Sequence, residues 1–197
     1  MPIAAYVYAR YYEHVAIASM GKRPKPITTP LPIVLQMLNY EPSTGDFHWK
    51  IHMDNGKKKP GDVAGCFSKN EEYWRVYIHG QDIRAQRLAW FMHYGEDPGP
   101  DFLVDHINGD SLDNRIENLR LATDRENSKN RKRGSNNTTG FKGVTKNKDG
   151  SFDARIYINE EHKYLGSFKT IELAANAYKE ASIKYHREWG RDNDLAR

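Results

Sequence analysis

LVDHINGDSLDNRIENLRLATDRENSKN, residues Leu103 to Asn130, decides how this chain is read. It opens with an apolar run that delivers Asp105 and His106 side by side. A turn-rich loop follows, with Asn108-Gly109, Asp110 and Asp113-Asn114, residue types that form turns by bonding their own backbone. Asn118 then begins a short alternating run, Leu119-Arg120-Leu121. Thr123 and Glu126 make a T-x-x-E capping box, which predicts a helix from about Asp124 with Asn127 in its first turn. As strand, loop, strand and helix, the segment brings Asp105, His106, Asn118 and Asn127 to one end of a small module. An imidazole, a carboxylate and two amides beside a helix start suit phosphodiester chemistry. The helix end favours anions, oxygen ligands suit a hard divalent cation, and histidine moves protons near neutral pH.

The string V-D-H-I-N-G-D…N-x-x-E-N-L-R…T…E-N…N, spread over Val104 to Asn130, resembles the HNH endonucleases, the ββα-metal nucleases. It is most similar to the phage and intron-borne homing branch, in which the last His of the name is Asn. The resemblance implies that His106 is the general base, that Asp105 and Asn127 are metal ligands, and that Asn118 braces the loop. It also implies one Mg²⁺ or Mn²⁺ ion, 5′-phosphate and 3′-hydroxyl products, and a phage or mobile genetic element as the source.

Upstream, Leu31 to Leu38 reads as a short helix, Tyr40 to Gly45 as a turn and Asp46 to Lys50 as a strand. Val63 to Phe67 and Tyr73 to Ile78 are two further strands, the second with Trp74, Val76 and Ile78 on one face. The opening Y-x-P-x-T-G-x-F-x-W, Tyr40 to Trp49, is similar to the small sheet that precedes the active site in phage HNH proteins. Ala85, Leu88, Ala89 and Met92 make the apolar stripe of a helix that Gly95 ends, and Pro98-Gly99-Pro100 turns the chain into the Asp105 strand. Relatives often carry His where Gln86 stands, so no role is assigned there. His48, His52, His79 and His93 fit no regular metal spacing and read as ordinary surface or half-buried histidines.

The chain has 197 residues, 38% apolar and 12% aromatic, with a net charge of +4. Its pI is about 9.0. The positive charge is local: Ser128 to Lys148 holds seven Lys or Arg and no Asp or Glu, which favours a polyanionic partner. Cys66 is the one cysteine, which excludes an internal disulfide and a Cys-rich zinc site. No apolar run approaches the roughly 20 residues of a membrane span. The first 23 residues read as neither signal peptide nor anchor. The expectation is a soluble protein in the cytoplasm of a bacterial host cell, with no membrane partner.

Lys129 to Arg133 lie on or just past the helix at Asp124; Asn130 and Arg131 share a face with Asn127, at i+3 and i+4, and with Lys132 and Arg133 would reach flanking phosphates if Asn127 reaches the metal. A linker follows. Phe152, Ala154, Ile156 and Ile158 then alternate with Asp153, Arg155 and Tyr157 as one strand, and His162 to Phe168 is a second, with a bulge or close approach at Gly166. Thr170 caps a helix whose buried stripe is Ala174, Ala177, Tyr178, Ala181 and Tyr185. The string G-F-K-G-V…F-D-A-R-I…Y-L-G-S-F-K-T…A-A-N-A-Y resembles the Apetala-type DNA-binding domain of plant ethylene-response factors. The resemblance implies a sheet laid in the DNA major groove. Lys142, Arg155 and Tyr164 then face DNA, with Lys146, Tyr157 and Lys163 beside them. That family usually has Arg at several of these places; Lys lacks its bidentate fork.

The fold class expected is therefore α+β: an HNH module preceded by a small antiparallel sheet, then a three-stranded sheet packed on one helix. The domains are 1–30, an appendage with a proline-rich linker; 31–133, the nuclease; and 134–197, linker and DNA-binding domain. The function expected is metal-dependent cleavage of double-stranded DNA by a monomer that nicks one strand. The alternative is a sequence-specific DNA-binding regulator whose nuclease module is inactive.

Overall fold

A turn of two residues shows how local chemistry shapes the N-terminal part of the molecule. His79 and Gly80 both take positive φ, 48° and 79°, the twist that matches a tight antiparallel hairpin. They join β4 (Tyr73–Ile78) to β5 (Gln81–Arg84), and β3 (Cys66–Ser68) completes the sheet in the order β3-β4-β5. The computed structural model describes residues 25–53, 56–130, 137–158, 161–186 and 189. Most of the expected N-terminal appendage, the linker residues 134–136, and Arg131, Lys132 and Arg133 lie outside them.

The described residues fall into two compact units, divided between Asp124 and Arg125. In the first, α1 (Leu31–Met37) runs straight into β1 (Leu38–Glu41), which pairs antiparallel with β2 (Asp46–Trp49). The strand expected at Val63 to Phe67 is displaced: Val63 only bridges His48, and the ladder begins at Cys66. The short β5 had no apolar run to betray it: Asp82 and Arg84 are exposed, half-buried Gln81 accepts from the Thr28 and Thr29 amides, and only Ile83 is an apolar buried residue.

Helix α2 (Ala85–Tyr94) packs on β4, β5 and β6 (Leu103–His106). Ala85, Leu88 and Ala89 are fully buried, as the 3.6-residue period predicts, and the helix stops at Gly95 with φ of 84°. Buried Arg87 then fixes the route into β6. Its guanidinium donates to Asp97 at 2.9 Å, to the Gly99 carbonyl at 2.8 Å and to the Phe102 carbonyl at 3.2 Å. Val34, Leu38, Phe47, Val76, Ile78 and Leu88 form the centre of one core. Strand β6 pairs with β7 (Leu119–Ala122), with a single 3₁₀ turn at Ile116–Asn118 before it. Strand, loop, strand and helix thus follow one another as expected, and the mixed α+β class holds.

The second unit contains all but the first residue of α3 (Asp124–Lys129), then β8 (Val144–Lys146), β9 (Phe152–Ile158), β10 (Glu161–Phe168) and α4 (Ile171–His186). Its sheet runs β10-β9-β8, all antiparallel, with α4 across one face. The register shifts between Tyr164 and Gly166, the bulge expected at that glycine. Ala174, Tyr178 and Ala181 are buried, as predicted, but Ala177 and Tyr185 are only half-buried while Ala175, Ser182 and His186 are buried in addition. Among the described residues no helix is long and apolar enough to cross a membrane.

Candidate functional site

Antiparallel pairing of β6 with β7 does the first part of the positioning. Asp105 stands opposite Arg120, and His106 opposite Leu119. Both acidic and basic members of the first pair are largely buried, and the guanidinium of Arg120 reaches the Asp105 carboxylate through Nε and a terminal nitrogen, each at 3.0 Å from Oδ2. His106 is 4% exposed. Burial pushes its pKa below the ordinary 6.5, against an opposing pull from Asn114, Asp105, Asp110 and Asp113. The ring is therefore neutral near neutral pH, the state a proton acceptor needs.

Between the strands the loop is tied to Asn118, which is buried at its far end. The Asn118 side chain accepts from the Asn108 amide at 3.0 Å and donates to Asn108 Oδ1 at 3.0 Å and to the Asp113 carbonyl at 2.8 Å. Backbone bonds from Ile107 to the Asn118 carbonyl and from Gly109 to the His106 carbonyl close the same loop. Asp113 receives Arg115 in a two-pronged pair, both contacts at 2.8 Å, which holds its carboxyl down at about 2.

Asn114 departs from its sequence-based reading as a turn former. It is 3% exposed, and its Oδ1 lies 3.1 Å from Nε2 of His106. Tyr73 lies on another side, its ring centroid 6.2 Å from that of His106 and nearly parallel to it. Arg84 sits over the Tyr73 ring at 4.7 Å. Sequence reasoning missed Asn114, Arg120 and Tyr73. Arg120 meets Asp105 through the β6–β7 register, which chain order alone does not reveal.

In the first unit the Asp105 carboxylate is the kind of oxygen donor a hard cation takes. Among the described residues no three His, Cys, Asp or Glu side chains are grouped to hold a metal. Asn127 lies in α3, half-buried. The helix stops at Lys129, so Asn130 lies just past it as a turn residue, 5% exposed.

In the second unit the pleat sorts the expected DNA-facing residues. Arg155 pairs with Tyr164 and Tyr157 with His162, so these four share the sheet face opposite α4. Arg155 stacks on the Tyr164 ring at 5.7 Å and bonds Asp153 at 3.3 Å; Tyr157 and Tyr164 are more than half exposed. Lys163 and Lys146 are corrected to the other face. Lys163 donates to the Tyr185 hydroxyl of α4 at 2.8 Å, and Lys146 lies over the Phe152 ring, each one pleat away from the Arg155 row. Lys142 is half-buried and donates to the Lys129 carbonyl at 2.7 Å. His162 was not singled out in sequence, and only the β9–β10 register reveals it.

Residues 84–129 match the family model described as HNH endonuclease. The uncharacterized HNH endonuclease L560 of Acanthamoeba polyphaga mimivirus is 33% identical over 95 residues, 48% of this chain and 49% of that protein. The AP2/ERF and B3 domain-containing transcription factor At1g51120 of Arabidopsis thaliana is 48% identical over 48 residues, 24% of this chain and 14% of that protein. Protein 3.8 of Escherichia phage T7 is 44% identical over 48 residues, 24% of this chain and 40% of that protein. The chain thus spans about half or less of the length of these relatives. No solved structure matches it.

Proposed function

With an HNH endonuclease segment at residues 84–129 as the premise, we propose that this chain is a metal-dependent endonuclease of the homing type that nicks double-stranded DNA. The observation that carries the reading is His106: buried, neutral near neutral pH, and adjacent to Asp105 at the end of a strand whose following loop is braced by Asn118. His106 takes the proton from an attacking water, a role that contributes typically ~10²–10⁴-fold. On the strength of the resemblance, Asp105 and Asn127 would hold one Mg²⁺ or Mn²⁺ ion, and that ion would supply charge stabilisation for the phosphate and the leaving 3′ oxygen. Products carry 5′-phosphate and 3′-hydroxyl ends.

The second unit places the enzyme on the duplex through Arg155, Tyr157 and Tyr164, in the manner of an Apetala-type sheet. One chain carries one set of His106, Asp105 and Asn127, so a monomer cuts one strand per binding event. The source we infer is a phage or other mobile element, in keeping with the viral relatives, and its place of action the cytoplasm of a bacterial host. A regulator with an inactive nuclease module is the second reading, favoured by the identity shared with a plant transcription factor. Relaxation of supercoiled plasmid with and without Mg²⁺ separates the two. Metal-dependent open circles support the nuclease; tight, selective binding with no cut in any divalent metal supports the regulator.

A further inference from the structure

The hairpin opening Tyr40 to Gly45 has no part in the chemistry so far, yet it grips the active-site loop. The hydroxyl of Tyr40 donates to the Asn114 carbonyl at 2.8 Å in a buried bond that spans 74 positions of sequence. The Ile116 amide donates to the Pro42 carbonyl at 3.1 Å. Gly45, with φ of 82°, presses on the same spot: a Cβ there would stand 2.6 Å from the Asn114 carbonyl carbon and 2.7 Å from the Arg115 nitrogen. Three parts of one turn therefore converge on the backbone of Asn114 to Ile116. Asn114 in turn meets His106.

We propose that the β1–β2 hairpin, acting through Asn114, positions His106 and sets which of its ring nitrogens carries the proton. This rests on the reading of His106 as the general base. The amide of Asn114 can be oriented from its own bonds. Its Nδ2 donates to the Leu112 carbonyl at 3.3 Å, so Oδ1 is the atom that faces Nε2. Swapping the two would set oxygen against oxygen at Leu112. Oδ1 only accepts, so Nε2 of His106 is the protonated nitrogen, and the basic lone pair of the neutral ring sits on Nδ1. A ring held in the other tautomer would present an N–H where a lone pair is needed. Asn114 and Tyr40 are thus positioning residues, one at the ring and one behind it.

The test uses the full chain. Long-range proton–nitrogen NMR of the unliganded protein, at about pH 8 where the imidazole is neutral, reads the tautomer without any cleavage assay. The proposal expects His106 in the Nε2–H form, and a ring protonated on Nδ1 overturns it. Asn114→Leu, which keeps the volume and removes the acceptor, should lower kcat about 10²-fold or more, with KM for DNA changed less than about threefold. Asn114→Asp retains an acceptor and should restore cleavage to within about tenfold of the parent. Tyr40→Phe should lower kcat by roughly tenfold through a small misplacement. Parental kcat in Asn114→Leu overturns the proposal while leaving the nuclease reading intact. A parent chain that never cuts removes the nuclease reading, and the tautomer measurement still decides what Asn114 does. If Asn114→Leu fails to fold, Asn114→Asp and the parental spectrum keep both outcomes open to refutation.

Discussion

Asp105 and Arg120 are register partners on β6 and β7, and both nitrogens of the guanidinium fork converge on Oδ2 of the carboxylate at 3.0 Å. Their side chains are 9% and 16% exposed, so the pair is shielded from water and from salt. Removing one member of such a pair leaves the other charge buried. Arg120→Ala should therefore destabilise the first unit by about 3 kcal/mol, the lower end for a broken buried pair. Urea unfolding of the full chain reads this directly. A change below about 0.5 kcal/mol, ordinary for a surface position, would mean that the pair is solvated and does not fix the carboxylate.

Asn118→Ala removes three hydrogen bonds from the loop that carries the chain from His106 to β7. The Asn108 amide and the Asp113 carbonyl lose a partner, at a cost of about 1–3 kcal/mol. Cleavage should fall with it, because the loop that follows His106 loosens. Retention of both stability and rate would show that the loop holds itself through Asp113, Arg115 and Asn108 alone.

Burial lowers the pKa of His106, and the sign of its effect follows. The folded chain binds this proton less tightly than the unfolded chain, whose value is the ordinary 6.5. Its contribution to stability is complete above that value and is lost as pH falls through the folded value. The rate follows the same neutral form. Cleavage should hold near neutral pH and decline only with a midpoint below 6.5. A rate profile whose acid limb is centred above that value would show a base other than His106, or one raised by its acidic neighbours against the effect of burial.

Much of this was legible before any coordinates, and the reasons are physical. Asp105, His106 and Asn118 are fixed by spacing within one short segment, and α2 announces itself through Ala85, Leu88 and Ala89. The pleat of β9 placed Arg155 opposite Ala154 correctly. What sequence could not give were pairings between distant strands. Lys163 looked like a neighbour of Tyr164 because it adjoins it in the chain, but a strand alternates faces, and Tyr185 captures it from α4. Asn114 looked like a turn because its sequence context is a turn. Its partners, Tyr40 and His106, belong to other elements. Val63 was taken for strand from its apolarity, whereas the ladder starts at Cys66.

Arg155→Ala and Tyr164→Ala address the second unit separately. Arg155 is 60% exposed on its side chain, and Tyr164 is its stacking and register partner. If the sheet face binds DNA, Arg155→Ala should weaken binding and reduce the slope of log affinity against log salt by about one. Tyr164→Ala should weaken binding with little change in slope. Lys163→Ala, on the face toward α4, should do neither. Equal effects from Lys163 and Arg155 would place the DNA on a different surface.

The central claim is that His106 serves a metal-dependent nuclease, and supercoiled plasmid tests it most directly. Parent and His106→Ala proteins are incubated with plasmid, with and without Mg²⁺, and circles are separated on a gel. The parent in Mg²⁺ should accumulate open circles before any linear form, chelation should stop it, and His106→Ala should bind the DNA within a few fold yet leave the plasmid supercoiled. Cleavage by His106→Ala at the parental rate, or no cleavage by the parent in any divalent metal, would contradict it.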